Sequence, residues 1–432
     1  MKFPGRRKLK HYFPVSQPKP ALPTSEVQPN KDTYVVGLDE TIVDVIANVN
    51  DDFLARHKIT KGLSNLVDHD TATQIYAELV AQGSISDHFA GGTIGNTLHN
   101  YSVLADDKSV LLGVMSANIQ LGSPAYHYIC HTSSKVDMNH LQGVDGDIGR
   151  GITLITEDGE RTFAIAPGDM DELNEHHIPD EIISHAAAFV ACAYPVRHQD
   201  KPIHKAMLTA IASANKHNVP VVLTLGTQHL VADNRDLLIS LIEESVDVLA
   251  MNELEAEALT GYDDPLQAAD YILDFVDMVL ITAGPHGLYL CGHTSAELAR
   301  ETSNPIKSDS LEDFNLYEFS RPMKRRDCHA PIKVFSHIDP YMGGPENIKN
   351  TNGAGDGALS ALLHDISANY FHRSAVPNSS KHRADFLCYS SFAQICKYAN
   401  RVSYEILAQN APRLSRGLPE REDSLEESYW ES

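Results

Sequence analysis

From Tyr34 onward, apolar runs of strand length alternate with amphipathic stretches of helix length, and this alternation restricts the fold more than any other feature. The strand candidates are Tyr34–Leu38, 109–115, 188–193, 220–225, 247–251 and Met278–Thr282, and helical patterns fall between them at 71–81, 93–105, 203–217, 235–244 and 253–260. Near-continuous apolar strands separated by helices predict an α/β fold, a doubly wound, mostly parallel sheet covered on both faces. One segment departs from the rhythm. Residues 151–156 and 161–166 alternate in polarity around Glu157-Asp158-Gly159-Glu160, so the stretch at about 150–167 reads as a hairpin in a small antiparallel β lid.

At 432 residues the chain can bury a large core. Its net charge of −23 argues against nucleic acid as a partner, because phosphate backbones select basic surfaces. The longest strongly apolar run, 186–196, is too short to cross a bilayer, so no membrane role is expected. Lys2, Arg6, Arg7, Lys8 and Lys10 precede no apolar stretch, and the first residues read as a solvated basic arm. Six cysteines are scattered without a Cys-x-x-Cys pair, which fits a reducing cytoplasm. There are 22 histidines but no His-Glu-x-x-His, so a histidine-held metal is disfavoured. Polar composition divides the chain into an extension (1–32), a body (33–410) and an acidic tail (411–432) with the single tryptophan, Trp430. The polar stretch 296–350 reads as a long irregular connection.

Asn350-Thr351-Asn352-Gly353-Ala354-Gly355-Asp356-Gly357 leads into an amphipathic helix at 358–366. Small residues at a helix start let a ligand approach backbone N–H groups that carry partial positive charge, so Gly353, Ala354 and Gly355 form a candidate anion hole. Asp356 stands beside it, placed to take a proton from an attacking hydroxyl. A plain loop-to-helix cap is the competing reading.

Other features gather at strand ends, where ligands of open α/β sheets bind. Asp39 and Asp44 follow the first strand, and either carboxylate can accept hydrogen bonds from paired sugar hydroxyls. Gly91-Gly92-Thr93 opens a helix with Asn96 one turn inside, a second place for close backbone approach. Asn252 and Glu255 share a helix face and can order water around a magnesium ion, although capping explains them equally. Thr282-Ala283-Gly284-Pro285-His286-Gly287 is a turn suited to lie along a nucleotide, or simply a tight turn. Arg197, after the apolar strand that ends near Ala193, can reach a purine carbonyl or a phosphate, with an exposed arginine as the alternative.

In this order the motifs resemble those of the ribokinase-like (PfkB-type) sugar and nucleoside kinases, and the likeness runs through 101–107 and 420–430 as well. The resemblance implies a ribokinase fold and transfer of phosphate from ATP to the 5′-hydroxyl of a purine nucleoside, inosine or guanosine, in purine salvage. It makes Asp356 the base, Gly353 to Gly355 the anion hole, and Asp44, Gly92, Thr93 and Asn96 the nucleoside site. Residues 282–287 become the ATP site, and Asn252 with Glu255 an indirect magnesium site. Potassium is a second candidate cation, and a monomer and a homodimer are both open.

Two departures stand out. Asn350 replaces the aspartate that commonly opens the last motif, and Asp39 precedes Asp44 by five residues, leaving two acids for one ribose. An adenosine or sugar kinase shares every motif. A non-catalytic nucleotide-binding regulator predicts a damaged base or anion hole, and both are intact. Dinucleotide and P-loop enzymes need glycine patterns that Gly37-Leu38-Asp39 and the rest of the chain lack.

Overall fold

The computed structural model of the chain describes residues 26–308 and 310–418. A nine-stranded sheet forms its centre. The order is Pro331–Ile338, Leu288–Ser295, Met278–Thr282, Val248–Asn252, Val221–Thr224, Phe189–Cys192, Tyr34–Leu38, Lys108–Leu112 and Val136–Asp137. All neighbours are parallel except the pairs that Leu288–Ser295 makes with Met278–Thr282 and Pro331–Ile338. Strands such as YVVGL and FVAC are buried at every position, because helices cover both faces and no side is left for polar residues.

The first strand lies inside the sheet. From it the chain builds outward to Lys108–Leu112 and Val136–Asp137, then crosses over to Phe189–Cys192 on the other side. Leu38 and Cys192 therefore end neighbouring strands whose continuations diverge, and that divergence opens a crevice. Helix Thr93–Ala105 packs on the first strand and on Ala354–Ala375, which packs in turn on Phe392–Leu407.

The lid is a five-stranded sheet ordered Ser64–Leu66, Arg161–Ala166, Gly149–Ile155, Ile42–Asn48 and Ile85–Ala90. Gly149–Ile155 and Arg161–Ala166 form the expected hairpin, and the Asp158 carboxylate accepts from the Thr156 hydroxyl at 2.5 Å in its turn. The lid is mixed rather than antiparallel. Ile42–Asn48 runs parallel to Gly149–Ile155, and Ser64–Leu66 parallel to Arg161–Ala166, because distant segments complete the sheet around the local hairpin.

Three expectations change. The run 109–115 breaks at Gly113, giving Lys108–Leu112 in the large sheet and Val114–Ser116 in a separate pair with Gln142–Val144. The stretch 296–350 is not wholly irregular, since Pro331–Ile338 closes the sheet edge. Residues 411–418 are not a solvated tail: Arg413, Leu414 and Leu418 are buried against the body. The rest of that tail, Trp430 included, and residues 1–25 of the extension lie outside the described residues. Within the described part of the extension Val27 is buried, and its N–H donates to Asp137 at 2.7 Å.

Candidate active site

The crevice is a cleft of about 560 Å³ between sheet and lid, and it brings together residues from distant parts of the chain. Asp39, Glu40, Asp44, Gly92, Thr93, Asn96, Arg197, Asn252, Glu255, Thr282, Gly353, Gly355 and Asp356 all line it. Ile42, Ile165 and Met170 supply apolar surface from the lid side, and Tyr194 from the sheet side.

The helix that carries Asp356 runs over Ala354–Ala375, so it begins inside the glycine-rich motif rather than at the expected 358 and continues past the expected 366. Gly353 caps it in the left-handed conformation (φ 84°) with no side chain to satisfy the first turn. The leading N–H groups of a helix have no intrahelical acceptor, so the start of this 22-residue helix faces the cleft with unspent donors. Asp356 is half-buried beside them. Desolvation pushes its carboxyl up to about 7, against the Asn96 hydrogen bond and the Arg413 charge, while Glu255 adds to the rise. Its Oδ2 accepts from the Asn96 side-chain amide at 3.0 Å. A base that titrates near neutrality can both accept a proton and release it.

Asp39 and Asp44 occupy different settings. Asp39 is buried, its Oδ2 accepts the Gly95 N–H at 2.7 Å, and desolvation pushes it up to about 8. One of its oxygens is thus committed to the helix start. Asp44 lies on the lid strand Ile42–Asn48, and burial pushes it up to about 6 while Arg413 holds it down.

Glu40 was not singled out by sequence. It is buried at the end of the first strand's turn, where Arg197 Nη2 donates to both of its carboxylate oxygens at 2.7 and 2.5 Å. Arg197 is one-third exposed, its Nε donates to the Tyr194 carbonyl at 3.2 Å, and its guanidinium stands 5.0 Å from the Tyr194 ring. The only signal for Glu40 was its place next to Asp39.

Asn252 and Glu255 form a reciprocal capping box: Asn252 Oδ1 accepts the Glu255 N–H at 2.9 Å, and Glu255 Oε2 accepts the Asn252 N–H at 3.0 Å. Asn252 Nδ2 also donates to Glu255 Oε1 at 2.7 Å. The cap and the cleft wall are therefore the same residues. Glu255 is buried, desolvation raises its carboxyl, and only the Asn252 N–H opposes that rise. Such a carboxylate fits a hydrated cation nearby. Among the described residues no cluster of three His, Cys, Asp or Glu could hold a metal directly, so a magnesium ion here would take its remaining ligands from phosphates and water.

Of residues 282–287 only Thr282 lines the cleft; Ala283, Gly284, Pro285, His286 and Gly287 do not. Gly287 has a structural reason instead. It sits at φ 84°, and a Cβ there would lie 1.9 Å from the Ile338 carbonyl oxygen, so the turn is shaped by the antiparallel edge of the sheet. Asn350 is buried, donates to the Asn410 carbonyl at 2.7 Å and accepts the Asn352 N–H at 2.9 Å. An ionised aspartate could not make the first bond, which accounts for the amide at this position.

A carboxylate beside the donor-rich start of a helix, under a β lid and at the divergence of a doubly wound sheet, defines a ribokinase-like phosphotransferase. Residues 68–306 match the model of the pfkB family of carbohydrate kinases, and the chain belongs to that family. It is 58% identical over 435 residues, covering 100% of both chains, to the guanosine-inosine kinase of Escherichia coli strain K12, and equally to that of strain O157:H7. Among solved structures, the adenosine kinase of Sinorhizobium meliloti superposes with a TM-score of 0.64 at 21% identity, covering 89% of this chain and 96% of that one. A probable sugar kinase of Rhizobium etli CFN 42 gives the same TM-score and coverage at 20% identity, so both share the fold.

Proposed function

We propose that this protein transfers the γ-phosphoryl group of ATP to the 5′-hydroxyl of inosine and guanosine. The observation that carries the reading is Asp356, held by Asn96 beside the start of the 354–375 helix in the same cleft as Asp44 and the Glu40–Arg197 pair. Identity of 58% to a guanosine-inosine kinase over the whole chain supports the choice of nucleoside.

In this reading Asp44 accepts from the ribose hydroxyls, since Asp39 already spends an oxygen on Gly95. The 5′-hydroxyl then meets Asp356, which removes its proton as the oxygen attacks phosphorus and ADP leaves. The backbone N–H groups of Gly353, Ala354 and Gly355 take the charge that grows on the transferred group. Asn252 and Glu255 would order the water around magnesium, which supplies charge neutralisation to the phosphates when bound. Thr282 borders the nucleotide side. Closure of the lid excludes water, which would otherwise compete as acceptor.

The Glu40–Arg197 pair reads the base. Inosine and guanosine both present a 6-oxo acceptor and an N1–H donor, which match a guanidinium and a carboxylate; adenosine presents the reverse pattern. A site built to hydrogen-bond one pattern discriminates against the other, because adenosine would set its 6-amino donor against the Arg197 donors and its N1 acceptor against the Glu40 carboxylate. The soluble nucleoside substrates and the absence, among the described residues, of a helix long and apolar enough to cross a membrane agree with a cytoplasmic role in purine salvage.

The experiment is ADP release with ATP and magnesium, offering inosine, guanosine, adenosine and ribose separately, with potassium present or replaced by sodium. Release confined to inosine and guanosine supports the proposal. Release with adenosine or ribose keeps the reaction and moves the acceptor, and a rate that falls without potassium adds it as an activator.

A further inference from the structure

The segment after the last helix, Phe392–Leu407, turns back onto the body and sets Arg413 behind Asn96, against the start of the 93–105 helix. Arg413 is buried. Its Nε donates to Asn96 Oδ1 at 2.9 Å, Nη1 to Thr132 Oγ1 at 2.7 Å and to the His131 carbonyl at 3.3 Å, and Nη2 to the Gly91 carbonyl at 3.0 Å. The segment is fastened on either side. Asn100 Oδ1 accepts the Leu414 N–H at 2.7 Å, Asn350 donates to the Asn410 carbonyl, and a Cβ on Gly353 would lie 2.7 Å from Pro412.

A guanidinium has donors and no acceptor. The atom that Asn96 turns toward Arg413 must therefore be its oxygen, and the atom it turns toward Asp356 must be its NH2 group. An NH2 group can only donate, so the Asp356 oxygen facing it must accept, which leaves the other carboxylate oxygen for the substrate hydroxyl. We propose that Arg413 is a positioning residue that fixes the Asn96 amide so that Asp356 is presented ionised, as the proton acceptor. The inference rests on the assignment of Asp356 as the base.

The charges around Asp356 agree with this role. Asp39 after the first strand, Asp44 on the lid and Glu255 on helix Glu253–Thr260 are all acidic, while His99 is held neutral by burial, pushed down to about 3. Tyr128 is buried and Tyr194 partly so, and desolvation weakens the acidity of both phenols. Arg413 is the cation that opposes the upward shift of Asp39, Asp44 and Asp356 alike. Replacing it with glutamine removes the charge and offers an acceptor, which lets the Asn96 amide turn over and present its oxygen to a protonated Asp356.

The test is the pH dependence of kcat/KM for inosine at saturating ATP and magnesium in wild type, R413Q, R413K and D356N, with melting curves for each. In folded R413Q the acid limb is expected to move upward by about one pH unit or more, whereas R413K, a donor without an acceptor, keeps the limb in place and loses roughly tenfold or more in kcat because one ammonium cannot span four acceptors. A folded R413Q whose acid limb stays with the wild type overturns the proposal. Should R413Q not fold, R413K decides: the stated loss of kcat supports it, and wild-type kcat overturns it. D356N separates the two readings, since retained turnover there would remove the base assignment itself, while its loss beside an unmoved R413Q limb would remove only the role of Arg413.

Discussion

Asn96 donates its side-chain amide to Asp356 across 260 residues of sequence, at 3.0 Å, and so joins the start of one helix to the start of another. This bond lowers the Asp356 pKa that burial raises. Asn96→Ala removes the donor and leaves the desolvation, so the folded pKa rises further above its ordinary value. A base must be ionised to act. Activity in Asn96→Ala is therefore expected to appear at higher pH than in wild type, and to fall by roughly tenfold or more at neutral pH. A pH–rate profile superimposable on the wild type would refute the coupling.

Glu40→Gln keeps the size of the side chain but puts an NH2 donor in place of one carboxylate oxygen and removes the charge, so the side chain can face either N1–H or the unprotonated N1 of adenosine. Selectivity for inosine over adenosine, measured as the ratio of kcat/KM with both nucleosides in competition, is expected to drop by roughly tenfold or more, since a matched polar contact sets discrimination. Its partly exposed partner Arg197 would lose its carboxylate at the same time, so thermal stability must be followed in parallel. An unchanged ratio in folded protein would assign base recognition elsewhere in the cleft.

The first strand, the 93–105 and 253–260 helices and the Asp356 turn were legible because their signals are local: apolar runs, helix periodicity, small residues before a carboxylate. The lid strands Ile42–Asn48 and Ile85–Ala90 were not recovered, since their pairings join segments far apart and a short alternating run gives little by itself. Glu40 looked like any acid in a turn. Arg413 carried no local signal at all, because its meaning lies in contacts with residues 91, 96, 131 and 132 that only the folded chain provides. Gly287 shows a different limit: a glycine read as part of a nucleotide turn also answers a demand invisible in the sequence, since a Cβ there would meet the Ile338 carbonyl.

That last point is measurable. Gly287→Ala places a Cβ against backbone in a left-handed conformation, and neither neighbour is the flexible end of a side chain. A loss of roughly 2–4 kcal/mol in unfolding free energy is expected, with the KM for ATP little changed in protein that still folds. A selective rise in the KM for ATP without loss of stability would return Gly287 to the nucleotide site.

Asp39 yields a stability prediction with a definite sign. Its folded pKa is raised from 3.8 to about 8, so between those values the native state binds a proton that the unfolded chain has lost. The stability this provides is full below the unfolded value and is lost as pH rises through about 8. Asp39→Asn cannot ionise, and its melting temperature is expected to decline less than that of wild type between about pH 6 and about pH 9. Equal declines in both proteins would mean that Asp39 is already ionised in the fold.

The most direct measurement is the turnover of Asp356→Asn with inosine, ATP and magnesium, beside inosine binding by the same protein. Removing a general base is expected to lower kcat by roughly 10² to 10⁴ while binding survives, because the ribose and base contacts remain. Turnover at the wild-type rate in that variant would contradict the assignment of Asp356 and, with it, the reading of the cleft as a site of hydroxyl activation.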